Sequence, residues 1–144
     1  MDSQTANHLA STRIKTVAKQ SLHHKIRPPD HELYVKKLMQ SDGKCYYCGQ
    51  QMQTKSTPPF YGDAYSIDHK LPISCYGSND ESNLVVCCAR CNITKGTMTA
   101  ETFIEFIELL KQKPDLLQKM FVEMNKGRLA NKITRDRDER EIDD

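Results

Sequence analysis

The chain has 144 residues, of which 38% are hydrophobic and none is tryptophan, and its formal net charge is +2. That length suits one domain with extensions, and a domain this small often needs a staple beyond its core. The first 25 residues lack an apolar signal core, and nowhere do about 18 apolar residues run together, so a membrane span is excluded and a cytoplasmic protein is the expectation.

Charge is unevenly placed. Residues 1–37 carry seven Lys or Arg (Arg13, Lys15, Lys19, Lys25, Arg27, Lys36 and Lys37) against three acids. A basic N-terminal part suits a phosphate backbone, where binding is driven by charge neutralisation and counterion release; ordinary solvated charge reads the same way. Residues 1–29 form a basic polar arm ending at Pro28-Pro29. The spacing of Leu9, Ile14, Val17 and Leu22 permits a helix over 9–22, with a disordered tip before it. Asp30 is placed to cap a second helix striped by Leu33, Tyr34, Leu38 and Met39, and Gly43 lets the chain turn afterwards.

Residues 50–64, with Pro58-Pro59 and Gly62, read as a loop. Ala64 to His69 reads as a short strand, and Asn83 to Cys87, rich in β-branched residues, as its antiparallel partner. Pro72, Gly77, Ser78, Asn79 and Asp80 make the connection a long irregular loop, where function tends to sit. A short helix is expected next, stopped by Gly96. Thr99 then caps an amphipathic helix with Phe103, Ile104, Phe106, Ile107 and Leu110 inward and Glu101, Glu105, Glu108 and Lys111 wet. Pro114 ends it, and Asp115 begins another, striped by Leu116, Leu117, Met120, Phe121 and Met124 and stopped by Gly127. These two helices pack on the core or make a dimer, and the sequence does not choose. Residues 128–144 carry five Lys or Arg against six acids and read as a frayed helix or a disordered charged tail.

Six cysteines could mean disulfides, but without a secretory signal paired C-x2-C spacings read as metal ligation instead. Cys45-Tyr46-Tyr47-Cys48 and Cys88-Ala89-Arg90-Cys91 are two C-x2-C knuckles, a spacing that turns both thiolates of a knuckle onto one ion. Four thiolates make a closed tetrahedral zinc site with no open position for substrate, hence a structural one. Cys87 also neighbours the second knuckle, but Cys88 has the required spacing to Cys91, and Cys87 would point to the opposite side of its strand. Cys75 and Cys87 are expected to be free thiols, buried or partly buried.

Between the knuckles lies Asp68-His69. Hydrolysis of a phosphodiester requires a proton acceptor near neutral pH, a stabilised leaving oxygen and neutralisation of growing phosphate charge. Histidine suits the first task, and a divalent ion held by a carboxylate and an amide suits the others. Adjacent strand residues point to opposite sides unless the strand ends there, as Pro72 suggests. Alone, such a dipeptide is usually a pair of polar residues on the surface. Asn83 at the start of the second strand and Asn92 directly after Cys91 give it weight.

Taken in order, Cys45-x2-Cys48, Asp68-His69-x2-Pro72, Asn83-Leu84 and Cys88-x2-Cys91-Asn92-x2-Lys95-Gly96 resemble the HNH endonuclease family in its four-cysteine zinc subgroup, over about residues 44–97. The resemblance implies an α+β fold: a ββα-metal (His-Me finger) core with a four-cysteine zinc site, flanked by N- and C-terminal helices. The nuclease domain would span residues 30–127, with its C-terminal helices at 99–127. His69 would be the general base, Asp68 a ligand of a catalytic divalent ion and Asn92 the second protein ligand. Asn83 would tie the long loop and so orient the base. The last motif residue is Asn rather than His, an H-N-N variant, and a neutral oxygen ligand favours Mg2+ or Mn2+.

Lys70, Arg90 and Lys95 are candidate phosphate contacts, against the plainer reading of solvent-facing charge. His8, His23, His24 and His31 read as surface histidines. The implied activity is metal-dependent cleavage of DNA to 5′-phosphate and 3′-hydroxyl ends, one strand per site. The setting would be a phage, restriction or mobile-element system, with a homodimer or a larger nuclease or packaging complex as partners. The alternative, from knuckles and basic arm alone, is a zinc-stapled nucleic-acid-binding module without catalysis. Asp68, His69 and Asn92 together separate the two.

Overall fold

The protein is described by a computed structural model over residues 1–55 and 62–127. The charged tail 128–144 and Pro58-Pro59 lie outside the described residues. Asp2 accepts a hydrogen bond from the Thr5 N–H at 2.7 Å and opens α1 (Ser3–His23), so the tip expected to be disordered is the first turn of a helix. After α1 the chain reverses at Lys25, with φ 58°, and the Ile26 N–H bonds the Ser21 carbonyl at 3.0 Å. This is a Schellman-like reversal made by a lysine where glycine is usual.

The face that α1 buries differs from the expected one. Ala6, Ala10, Val17 and Ser21 are buried, Leu9 and Ile14 are partly so, and Leu22 is 82% exposed. α1 packs on α2 (His31–Gln40) and on the sheet, and the approach of two helices depends on the side chains at the seam. Alanine and serine let the backbones come close, which a leucine at the seam would prevent. Asp30 caps α2 by accepting from the Glu32 and Leu33 N–H groups, and α2 buries Tyr34 and Leu38 while Met39 stays exposed.

β1 (Tyr65–His69) and β2 (Leu84–Cys88) form a two-stranded antiparallel sheet, in register from Tyr65 opposite Cys88 to His69 opposite Leu84. Before it, isolated bridges pair Lys44 with Gln51 and Gln53 with Ala64, and Met52 is buried between them, so the expected loop is partly ordered by pairing. The Cys88 side chain then caps α3 (Ala89–Lys95), which stops at Gly96 with φ 55°. Thr99 caps α4 (Ala100–Leu110), as its sequence position implies. Ala100, Phe103 and Ile107 are the buried face of α4, whereas Phe106 is 50% exposed, so the inward stripe is narrower than expected. A fifth helix, α5, covers 114–127 and begins at Pro114 itself, where a missing N–H is harmless. α5 buries Phe121 and leaves Leu116 and Met124 exposed.

Two apolar clusters result, and the alternation of β2 divides them. Val85 and Cys87 join the cysteines, Phe103, Ile107 and Phe121, while Leu84 joins Ile67, Ile73, Tyr34 and the small face of α1. Mixed helices around a small antiparallel sheet agree with the expected α+β class. No described helix is long and apolar enough to cross a membrane.

Tyr34 is fully buried, its hydroxyl has no hydrogen-bond partner among the described residues, and burial pushes its pKa up to about 12. An unsatisfied buried hydroxyl costs about 1–3 kcal/mol. Tyr34→Phe is therefore expected to raise the urea midpoint, recovering part of that cost; a lower midpoint would mean that the hydroxyl contributes to stability.

Candidate metal centre and active site

The four knuckle sulfurs, of Cys45, Cys48, Cys88 and Cys91, lie within 4.8 Å of one another, and Cys48 and Cys88 Sγ are 3.9 Å apart. Tetrahedral zinc with bonds of about 2.3 Å sets its sulfurs about 3.8 Å apart, so the cluster fits a zinc site. Backbone donors are already aimed at it. The Tyr47 and Cys48 N–H groups lie 3.4 and 3.5 Å from Cys45 Sγ, and the Cys91 N–H lies 3.4 Å from Cys88 Sγ. Such bonds favour the charged thiolate. Arg90 stands over the same cluster. Its Nη2 is 3.8 Å from Cys48 Sγ, it bonds the Gln50 side chain, and its guanidinium lies 4.1 Å from the centre of the Phe121 ring. Cys87 is fully buried in this core without joining the sulfur group, and burial pushes its thiol pKa up. Cys75, expected to be at least partly buried, is exposed on the loop after β1.

Tyr47, between the first two cysteines, reaches out of the knuckle. Its hydroxyl donates to Asp68 Oδ2 at 2.5 Å, and its ring sits edge-on to Phe103 at 5.0 Å. Burial, then the Asp68 charge, push the Tyr47 pKa up, so the phenol stays protonated and donates. Lys95 Nζ lies 3.2 Å from the same Oδ2 and donates to the His69 carbonyl at 3.0 Å. Asp68 is 5% exposed and Lys95 only 1%, so two buried charges compensate each other. Both contacts fall on Oδ2; Oδ1 takes part in neither.

His69 ends β1 and is buried, with its Nε2 2.7 Å from Asn79 Oδ1. Burial lowers the imidazole pKa, and the Asn79 bond opposes that shift. The loop between the strands is closed on itself. Asn83 Oδ1 accepts from the Leu71 N–H at 2.9 Å, and its Nδ2 donates to the Leu71 and Ser78 carbonyls at 3.0 and 2.8 Å. Gly77 is needed where the loop folds back, because a Cβ there would meet the Leu71 carbonyl oxygen at 1.8 Å.

Asn92, one residue past the last thiol, donates from Nδ2 to Ser66 Oγ at 2.8 Å. Asp68, His69 and Asn92 line one pocket of about 240 Å³, together with Pro72 and Ser74, with Arg13 and Gln20 from α1, and with His24 just past its end. The pocket therefore gathers three of the four motif residues, while Asn83 ties the loop at its edge. The three cationic candidates sit elsewhere. Lys95 is inside, on Asp68; Arg90 is on the knuckle; Lys70 Nζ lies 5.7 Å above the Tyr46 ring.

Residues 45–101 match the family model described as HNH endonuclease. The matched segment holds both knuckles, Asp68, His69, Asn83, Asn92 and Lys95, and nearly coincides with the span drawn from the motifs. α1, α2 and α5 lie outside it. No curated protein matches the chain.

Tyr47→Phe removes one hydrogen bond to a buried carboxylate and nothing from the knuckle's ligands. The expected cost is about 1.5–3 kcal/mol, the range for bonds to charged groups. Chemical denaturation at matched zinc content checks it; an unchanged midpoint would show that Lys95 alone satisfies Asp68.

Proposed function

We propose that the segment matching the HNH endonucleases makes this chain a metal-dependent DNA endonuclease, with a structural zinc on the four thiolates and a separate catalytic Mg2+ or Mn2+. The observation that carries this reading is the convergence of Asp68, His69 and Asn92 on one pocket, apart from the sulfurs. The donor set fits a hard ion. The Asp68 oxygen free of Tyr47 and Lys95, and the Asn92 amide oxygen left over once its nitrogen bonds Ser66, are both oxygen ligands. Bound there, the ion would neutralise charge growing on the phosphate and on the leaving 3′ oxygen.

The protein groups supply the rest. His69 takes a proton from the attacking water, and desolvation favours the neutral ring needed for that task. The water oxygen bonds to phosphorus as the bond to the 3′ oxygen breaks, and that oxygen takes a proton from solvent. The products are a 5′-phosphate and a 3′-hydroxyl. Asn83 and Gly77 keep the loop after His69 in one conformation, so the base is held rather than sampled. Tyr47 and Lys95 fix the Asp68 carboxylate from behind. One pocket cuts one strand; cutting both requires a second copy or a second visit. Arg13 of α1 and His24 just past its end also line this pocket and would be available to a phosphate entering it.

Nicking of supercoiled plasmid in Mg2+, Mn2+ or EDTA tests this. The zinc-loaded wild type should nick with either ion and stop in EDTA. His69→Ala should cut at least about 100-fold slower, the lower end for loss of a general base, with zinc content and DNA binding near normal. Cys48→Ser should instead lose the metal and the fold of the centre, because structural zinc energy is folding energy. A zinc-loaded wild type that binds DNA yet never nicks it would leave the non-catalytic binding module as the function.

A further inference from the structure

The bonds around His69 run in one direction and end in a part of the chain that the family match does not reach. Asn79 is 7% exposed and Ser21 1%, so water plays little part in their pairing. Asn79 Nδ2 donates to the Arg27 carbonyl at 2.8 Å and to Ser21 Oγ at 2.9 Å. A backbone carbonyl only accepts, which fixes the amide with its nitrogen toward Arg27 and its oxygen toward His69. Ser21 agrees: its hydroxyl donates to the Val17 carbonyl at 2.7 Å, leaving a lone pair to accept from Asn79. Asn79 Oδ1 can therefore only accept, so the His69 Nε2 beside it carries the proton. In the neutral ring the lone pair then belongs to Nδ1.

We propose that α1 and the reversal after it are a working part of the active site, with Asn79 and Ser21 as positioning residues for the base. Ser21 and the Arg27 carbonyl set the hand of the Asn79 amide, and Asn79 sets the tautomer and tilt of His69, leaving Nδ1 to meet the water. The Lys25 reversal is what brings the Arg27 carbonyl to Asn79. The basic N-terminal part thus acts first as a brace. Any contact with DNA is additional. This rests on the nuclease reading for its consequence, but the tautomer itself does not.

Two measurements on the full, zinc-loaded chain test it. Long-range 1H–15N NMR of the nitrogen-labelled protein reads which His69 nitrogen is protonated, whatever the protein does to DNA. Nε2–H is expected in the wild type, and its loss or mixture with Nδ1–H in Asn79→Ala. Asn79→Asp, which keeps an acceptor for the ring, should retain Nε2–H. In plasmid nicking, Asn79→Ala should lower kcat about 10–100-fold, by analogy with the loss of partners that orient metal-ligating histidines, with KM for DNA unchanged. Asn79→Asp should recover part of that loss, and Ser21→Ala should show a smaller loss of the same kind.

A proton on Nδ1 in the wild type would overturn the proposal. So would an Asn79→Ala protein with normal zinc and melting that nicks at the wild-type rate. If Asn79→Ala fails to fold, Ser21→Ala decides: a helix-compatible change with wild-type kcat and an unmoved His69 spectrum refutes the brace. A wild type that does not nick at all refutes the nuclease reading and leaves the spectrum to judge the network.

Discussion

Four sulfurs held within 4.8 Å are the constraint on which the rest of the molecule turns. As thiolates they repel one another at that distance and need a cation between them. The ligand pairs are not local: the first knuckle and the second are separated by the whole sheet and its long loop. Their convergence fixes Cys88 at the end of β2 and the start of α3, and it seats Tyr46 against Val86 through a 3.1 Å backbone bond. It also places Tyr47 beneath Asp68. Were zinc bound there, its occupancy would be coupled to the packing of the α4 core through Phe103 and to the orientation of one acidic side chain.

The second constraint is electrical. A carboxylate that is only 5% exposed cannot stand alone in the interior, and Lys95 answers it. Lys95 was one of three candidates for phosphate contact, against the plainer reading of solvent-facing charge, and it is buried. Its position after Asn92 puts it one helical turn past Cys91, where the helix faces inward, and its long stem lets the ammonium bridge Asp68 and the His69 carbonyl. The ammonium balances the buried carboxylate's charge within the chain itself. The Asp68 carboxylate is thereby held in one orientation by Tyr47 and Lys95, both on Oδ2.

The parts legible in the sequence were those with local signals. Two C-x2-C spacings, the β-branched run from Leu84, Thr99 before an amphipathic helix and Gly96 after a short one each state their element within a few residues, and the elements stand there. The α1 seam was missed for a physical reason. Periodicity weighs large apolar side chains, whereas the buried face is Ala6, Ala10, Val17 and Ser21, and Leu22 points away. The partners of the motif residues were missed as well. Tyr47 and Asp68, or Ser21 and Asn79, meet only after folding, across 21 and 58 positions of chain. A faint hint existed for Tyr47, an aromatic hydroxyl confined between two ligands and so certain to lie near the metal. None existed for Ser21, since a serine in a basic helix carries no mark of what it will touch.

The boundary of the matched segment and the boundary of the hydrogen-bond wiring do not coincide. Residues 45–101 contain the thiolates, the acid, the ring and the loop that closes over them. The three groups that decide which way the Asn79 amide faces are Val17, Ser21 and Arg27. Grafted onto a foreign scaffold, the matched segment alone would keep its sulfur cluster but inherit an amide free to flip, and with it a His69 ring of unfixed tautomer. As a transferable cassette, the hydrogen-bonded unit around His69 begins no later than Val17, and a different helix spliced upstream would alter the setting of that ring without touching any residue of the motif.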